Sequence, residues 1–291
     1  MTQMALGDVF VATHTWRRAF PGAVAGLLVM RDVRNPQHVP ALEVRKRELE
    51  RTLRISTAQH GPDVLRADPR IRVYADYYRN HGKTYHVKAQ WESVAVEGKP
   101  IPHCAALVEA MFMAELKNLI LTAGHDLTAV ALPVRVDVTR ENDTYVLMRG
   151  DEQLLRAEDM AMVDARGILS SVLYGPDHRT RITSETREVL FAAMRPPELA
   201  SPLWESISKT FATTFCSSRR TQRQRCLRRC SLPEMTAARS NEPVQRLSLR
   251  ERKRDRLEQN GPTAKVHVWK ASLIRRREPV RRAPPEAVSA S

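Results

Sequence analysis

Two segments of this chain set acid–base and charge-gripping groups close together. Leu121-Thr122-Ala123-Gly124-His125-Asp126 places an imidazole and a carboxylate directly after a glycine. Some fifty residues later comes Tyr174-Gly175-Pro176-Asp177-His178-Arg179-Thr180-Arg181. In the first segment an apolar helix of about Cys104–Ala123 is expected to stop at Gly124, a left-handed cap residue that would deliver His125 and Asp126 to a cleft rim. In the second, a Gly-Pro-Asp turn presents a carboxylate, a guanidinium and a hydroxyl, groups suited to an anionic or ester-bearing ligand. The candidate groups are His125 and Glu115 for acid–base handling of a water, and Tyr174, Arg179 and Thr180 for gripping the ligand. Plainer roles stand beside these: His125 at a helix end, Asp177 capping its turn, Arg179 and Arg181 solvated. A single site requires the two segments to converge.

The helix that carries Glu115 can be laid out on a wheel. Val108, Met111, Leu119 and Thr122 fall within about 40° of Glu115, Phe112 and Asn118 at about 60°, and Glu109, Met113 and Lys117 face away. The Glu115 carboxylate thus lies mid-stripe, flanked by the Asn118 amide and the Thr122 hydroxyl. A lone buried carboxylate costs several kcal/mol, so these three are expected to share a polar network or to line a ligand pocket, and both readings stay open.

The net charge of +14 looks like a nucleic-acid signature until it is located. Of 47 Lys/Arg and 33 Asp/Glu, residues 192–291 hold 22 and 9, which leaves 25 and 24 in residues 1–191. The body is nearly neutral, which favours a small or terminal ligand over a broad RNA track. No apolar run has the length of a membrane span, and no secretory signal opens the chain. Cys104 stands alone in the body, which argues against a disulfide framework and for the cytoplasm. Cys216, Cys226 and Cys230 lack a fourth ligand and zinc-type spacing. There is no P-loop, G-x-G-x-x-G, G-x-S-x-G or H-E-x-x-H, and His81, His86 and His103 suggest no helical ligand set beside His125-Asp126. Neither a metal nor a cofactor is expected, and the oligomeric state is open.

These groups need a scaffold, and the hydrophobic pattern supplies one of class α+β. Val24–Met30 reads as a buried strand, and Pro40 opens a surface helix over 41–54 with Leu42, Leu49 and Leu53 on one side. Residues 84–96 alternate (Tyr85, Val87, Ala89 and Trp91 against His86, Lys88, Gln90 and Glu92), which predicts a half-buried strand. Short strands then follow at 134–138, 144–148, 160–164, 168–174 and 188–192, separated by tight turns, so they pair antiparallel. The expected body is residues 1–192, an antiparallel β-rich, sandwich-like core packed with helices. Residues 193–291, with six arginines between Arg219 and Cys230, read as a disordered basic tail or as run-on sequence from a shifted frame.

In this order the segments resemble the free-standing B3/B4 domains, relatives of the amino-acid editing domain of the phenylalanyl-tRNA synthetase β subunit. The matching stretches are Trp16-Arg17-x-x-Phe20-Pro21-Gly22, Lys83-Thr84-Tyr85-His86-Val87, Gly98-Lys99-x-Ile101-Pro102, Ala106–Leu116, Leu121–Asp126 and Ile168–Ile182. The resemblance spans about 14–191. It implies a β-sandwich-like α+β fold with a pocket between two halves, taking an amino acid or the aminoacyl 3′ end of a tRNA. It further implies either trans-editing hydrolysis of a mischarged aminoacyl-tRNA or, alternatively, a non-catalytic module that senses a free amino acid or metabolite. The chain departs from the family after the last strand, at Ala193-Met194-Arg195-Pro196-Pro197. The synthetase domain has no fixed nucleophile to carry over.

Overall fold

The computed structural model describes residues 10–61 and 63–196, and the backbone of 265–272. In chain order come β1 (Phe10–Ala12), α1 (His14–Ala19), β2 (Val24–Arg31), α2 (Pro40–His60), α3 (Val64–Ala67), α4 (Pro69–Asn80), α5 (His86–Ala95) and α6 (Ala106–Asn118). The strand-rich half follows: β3 (Ala123–Asp126), a 3-10 turn at Leu127–Ala129, β4 (Val134–Val138), β5 (Thr144–Val146), β6 (Glu152–Leu154), β7 (Met160–Val163), β8 (Ile168–Ser171), β9 (Gly175–Pro176) and β10 (Val189–Arg195). Lys265–Ser272 form β11.

The strands build two main sheets. One has five strands in the order β1-β4-β7-β8-β9, and the other four in the order β11-β2-β10-β3. Only β1–β4 is parallel; every other pairing is antiparallel. The fold is α+β, with a β-rich core packed by helices. Strands β2 and β10 are buried at six consecutive positions each, the pattern of strands covered on both faces. The reason is visible in the register. Phe191 stands opposite Gly124 and Leu28, and a Cβ on Gly124 would meet Met111 Sδ of α6 at 3.1 Å, so that face belongs to the helices. Leu190 stands opposite Val29 and His125, and this row looks toward Phe10 and Val134 of the other sheet.

Three expectations require correction. Residues 86–95 are a helix, not a strand: Val87, Trp91, Val94 and Ala95 are buried at helical spacing while Ala89 is exposed, so the short alternating run also satisfied the 3.6-residue period. The central helix ends at Asn118, with Leu119 taking the left-handed cap at φ 56°. Its last carbonyls are met from outside, Asn118 O by Arg70 at 3.1 Å and Leu119 O by Tyr85 Oη at 3.4 Å. Gly124 and His125 therefore lie in strand β3, not at a helix end. On α6 itself, Glu109 and Met113 are buried rather than outward, because α2 and α5 enclose the helix and Lys46 of α2 meets Glu109 at 3.2 Å.

The basic C-terminal stretch also differs in part from its expected lack of structure. Strand β10 runs three residues past 192, and β11 pairs antiparallel with β2 over eight positions, from Lys265–Arg31 to Ser272–Val24. The arginine-rich run at 219–230 and its cysteines lie outside the described residues. No described helix is long and apolar enough to cross a membrane.

Gly124 is the tight point between sheet and helices. A methyl group there would come within 2.8 Å of Ile182 Cδ1 and 3.0 Å of the Phe191 ring. Gly124→Ala is expected to cost roughly 1–3 kcal/mol, read as a lower denaturation midpoint at unchanged slope. A variant as stable as the parent would show that the sheet and α6 can separate without loss.

Candidate functional site

The Tyr174–Arg181 segment and the His125 strand do converge. Asp126 N–H donates to Thr180 O at 2.7 Å, and His125 Nδ1 lies 2.7 Å from Thr180 Oγ1. Thr180 donates its hydroxyl hydrogen to Asp177 Oδ1, and its N–H reaches the same oxygen at 3.1 Å. A hydroxyl has one hydrogen, so the network assigns the imidazole proton to Nδ1, donated to Thr180, and leaves Nε2 with a lone pair. His125 is 0% exposed, and its Nε2 has no hydrogen-bond partner among the described residues. Burial, with the Arg179 charge beside it, holds the imidazole down at about 3, so it is neutral at physiological pH.

Arg179 is occupied. Its guanidinium grips both oxygens of Asp164, at 3.0 and 3.1 Å, reaches Ala129 O at 2.9 Å and stands 3.5 Å from Asp177. Asp164 also accepts from the N–H groups of Ala131, Arg166 and Gly167. Against the upward push of burial, those amides and Arg179 keep its carboxyl below the usual range. Asp177, by contrast, is pushed up by burial despite Thr180. Asp126 caps the 3-10 turn through Thr128 N at 2.9 Å and accepts from Thr186 Oγ1 at 2.6 Å.

The helical-side residues are elsewhere. Glu115 is 3% exposed, and its Oε1 accepts the Thr122 backbone N–H at 2.8 Å, whereas the Thr122 hydroxyl turns to Ile120 O at 3.4 Å. The Asn118 amide donates within its own helix, to Ala114 O at 2.8 Å. Glu115 is on α6, the helix that meets the Gly124 face of the sheet, whereas His125, one residue on, points to the other face. The two groups expected to handle a water are thus separated by the sheet. Burial lifts the Glu115 carboxyl to about 8, against the Thr122 hydrogen bond, so it is protonated at neutral pH. Tyr174 lies in another place again, its ring under Lys83 Nζ at 3.9 Å.

The feature that residue spacing did not reveal is a groove between the two sheets. It holds about 140 Å³ and is lined by Phe10, Leu27, Val29, Val134 and Leu190, with Leu127, Val130 and Leu132 also on its wall. Arg31 at the end of β2 and Glu188 just before β10 complete the lining and pair with each other, about one-third exposed (36% and 31%). His125 shares a sheet row with two groove residues, Leu190 and Val29. Alternation of Leu27, Val29 and Arg31 along one strand was the available signal; Glu188, 157 residues away from Arg31, offered none.

A second polar cluster joins Glu43, His103 and Glu109, whose ligand atoms lie within 4.8 Å of one another, as a metal would require. Lys46 Nζ already sits between the carboxylates at 3.1 and 3.2 Å, an ammonium in the position a cation would take.

No protein-family profile matches the chain, and no curated protein matches it in sequence. Among solved structures it is similar to an N-terminal fragment of the phenylalanyl-tRNA synthetase β-subunit from Pyrococcus horikoshii. The identity is 10% and the TM-score 0.38, over 75% of this chain and 49% of that one. The chain spans about half the length of that fragment.

Two expected outcomes follow from the charges. The Glu115 pKa of about 8 lies above its value of 4.5 in the unfolded chain, so its contribution is intact below pH 4.5 and is lost as pH rises toward 8. Over that window wild-type stability falls by up to ~1.4 kcal/mol per pH unit relative to Glu115→Gln. Urea unfolding at pH 5, 7 and 8.5 checks it; a constant difference between the two proteins refutes the assignment. Asp164→Ala strands the Arg179 guanidinium and three amides and is expected to destabilise by about 3–5 kcal/mol. A loss under 1 kcal/mol in the same assay would mean Arg179 is free to serve a ligand.

Proposed function

We propose that this chain is a stand-alone B3/B4-type module that holds an aminoacyl group in the groove between its sheets. The group is presented either at the 3′ end of a tRNA or as a free amino acid. The observation that carries this reading is the groove's build, deep apolar walls below one pair of opposite charges at the mouth. An amino acid has the complementary build, an apolar side chain on the carbon that bears an ammonium and an acyl oxygen. The ordered motif set from Trp16 to Ile182 supports the family, and the near-neutral body supports a small or terminal ligand. For a charged tRNA, the 22 Lys/Arg of residues 192–291 are the groups suited to its phosphates.

Binding is supported better than hydrolysis. A general base works best with a pKa near the working pH, and His125 at about 3 is a weak one. His125 is also fully buried and is not among the residues that line the groove. Any editing hydrolysis by this chain would draw its rate from orientation of the ester and a water.

The test is filter binding of the full-length chain to tRNAs carrying leucine, phenylalanine or tyrosine against the same tRNAs uncharged, with ester loss followed in parallel. At least one charged tRNA is expected to bind roughly tenfold tighter. Val130→Trp, which fills the groove mouth, should erase that difference without lowering the melting temperature. Equal affinity for charged and uncharged tRNA, with no thermal shift on any free amino acid, sinks the reading.

A further inference from the structure

We infer that Arg31 and Glu188 form a head-group clamp that makes the groove a site for the zwitterion of an apolar α-amino acid, with the free carboxylate preferred over its ester or amide. This rests on the aminoacyl reading of the groove and adds which end is recognised and by what. Arg31 ends β2 and Glu188 immediately precedes β10, one step beyond the register pair Val189–Met30, so their heads meet at the groove mouth. Leu27 and Val29 on the same strand as Arg31, and Leu190 on the strand that follows Glu188, lead from that pair down into the apolar space. A zwitterion presents a carboxylate and an ammonium on one carbon, a few ångströms apart, and its side chain on that same carbon. Docked with the carboxylate on Arg31 and the ammonium on Glu188, it exchanges one ion pair for two and sends its side chain between the sheets.

Magnitudes favour the exchange. A part-exposed ion pair contributes little, so parting Arg31 from Glu188 is cheap. A guanidinium–carboxylate contact is bidentate and stronger, and an ester or amide carbonyl cannot reproduce it. Two opposite charges side by side suit a ligand that carries both, and disfavour a simple fatty acid or amine, each of which would leave one member of the pair unmatched. The cavity of about 140 Å³ is close to the ~150 Å³ that accommodates a benzene ring in an apolar protein interior, so side chains from valine to phenylalanine fall within range.

The experiment is calorimetric titration of the full-length chain with L-valine, L-leucine, L-methionine and L-phenylalanine. The best of them is then compared with its amide, which lacks the carboxylate, and its deamino acid, which lacks the ammonium. Both analogues are expected to bind roughly ten- to a hundredfold more weakly than the amino acid. Arg31→Gln should erase the preference over the amide, and Glu188→Gln the preference over the deamino acid. Each should leave the other preference in place, a crossed pattern that a merely structural ion pair cannot give. The double exchange Arg31→Glu with Glu188→Arg keeps the pair but inverts the clamp, and is expected to melt like the parent while losing affinity. An amide bound as tightly as the amino acid, with both displaced by Val130→Trp, overturns the clamp and leaves the aminoacyl reading standing. Absence of binding by every amino acid, together with equal affinity for charged and uncharged tRNA, removes both.

Discussion

Strands β2 and β10 are apolar on both faces, and neither face can be left to water. That requirement organises the rest of the molecule. Helix α6 covers one face, where Gly124 and Phe191 meet Met111, and the five-stranded sheet lies beyond the other, where Phe10 and Val134 approach Leu27, Val29 and Leu190. Burial of a large apolar surface from both sides is the main stabilising contribution available to a chain of this composition. It also explains why the polar groups near the sheet are so fully engaged. In the His125–Thr180–Asp177–Arg179–Asp164 series hydrogen bonds join the first three members and the last two, and an ion pair at 3.5 Å links Asp177 to Arg179.

Helix α6 shows two solutions to a buried carboxylate within six residues. Glu109 is met by Lys46 at 3.2 Å, His103 Nδ1 at 2.8 Å and the Cys104 amide at 2.9 Å. Glu115 receives the Thr122 amide and holds its proton instead. The difference lies in what faces each turn of the helix. Glu109 looks toward α2, which brings an ammonium, while Glu115 acts on the buried phenols of Tyr74, Tyr78 and Tyr85, which stay neutral.

Much of the architecture was legible where a pattern had only one physical meaning. The unbroken apolar run of β2, the Pro40 helix start and the short strands after Val134 required no partner to be read. The segment at 86–95 misled because four alternating positions fit both periods, and only Val94 and Ala95, further on, separate them. The helix end misled because Gly124 was the obvious stop, whereas Leu119 turns left-handed under the pull of Arg70 and Tyr85, groups tens of residues away. For the site, the approach of Thr180 to His125 was expected from their chemistry. Arg31 and Glu188 were not, since only strand pairing brings them together. Local chemistry is written in adjacent residues; a groove is a property of two sheets.

The pairing of Arg31 with Glu188 has a mechanical consequence. Opposite charges in contact have a field that dies away within a few ångströms, so the pair acts on its immediate neighbours and on little else. It fastens the end of β2 to the residue that opens β10, one step beyond the Val189–Met30 register pair. A slip of either strand by one residue would part the two heads, so the pair works as a register pin at the edge of the doubly covered strands.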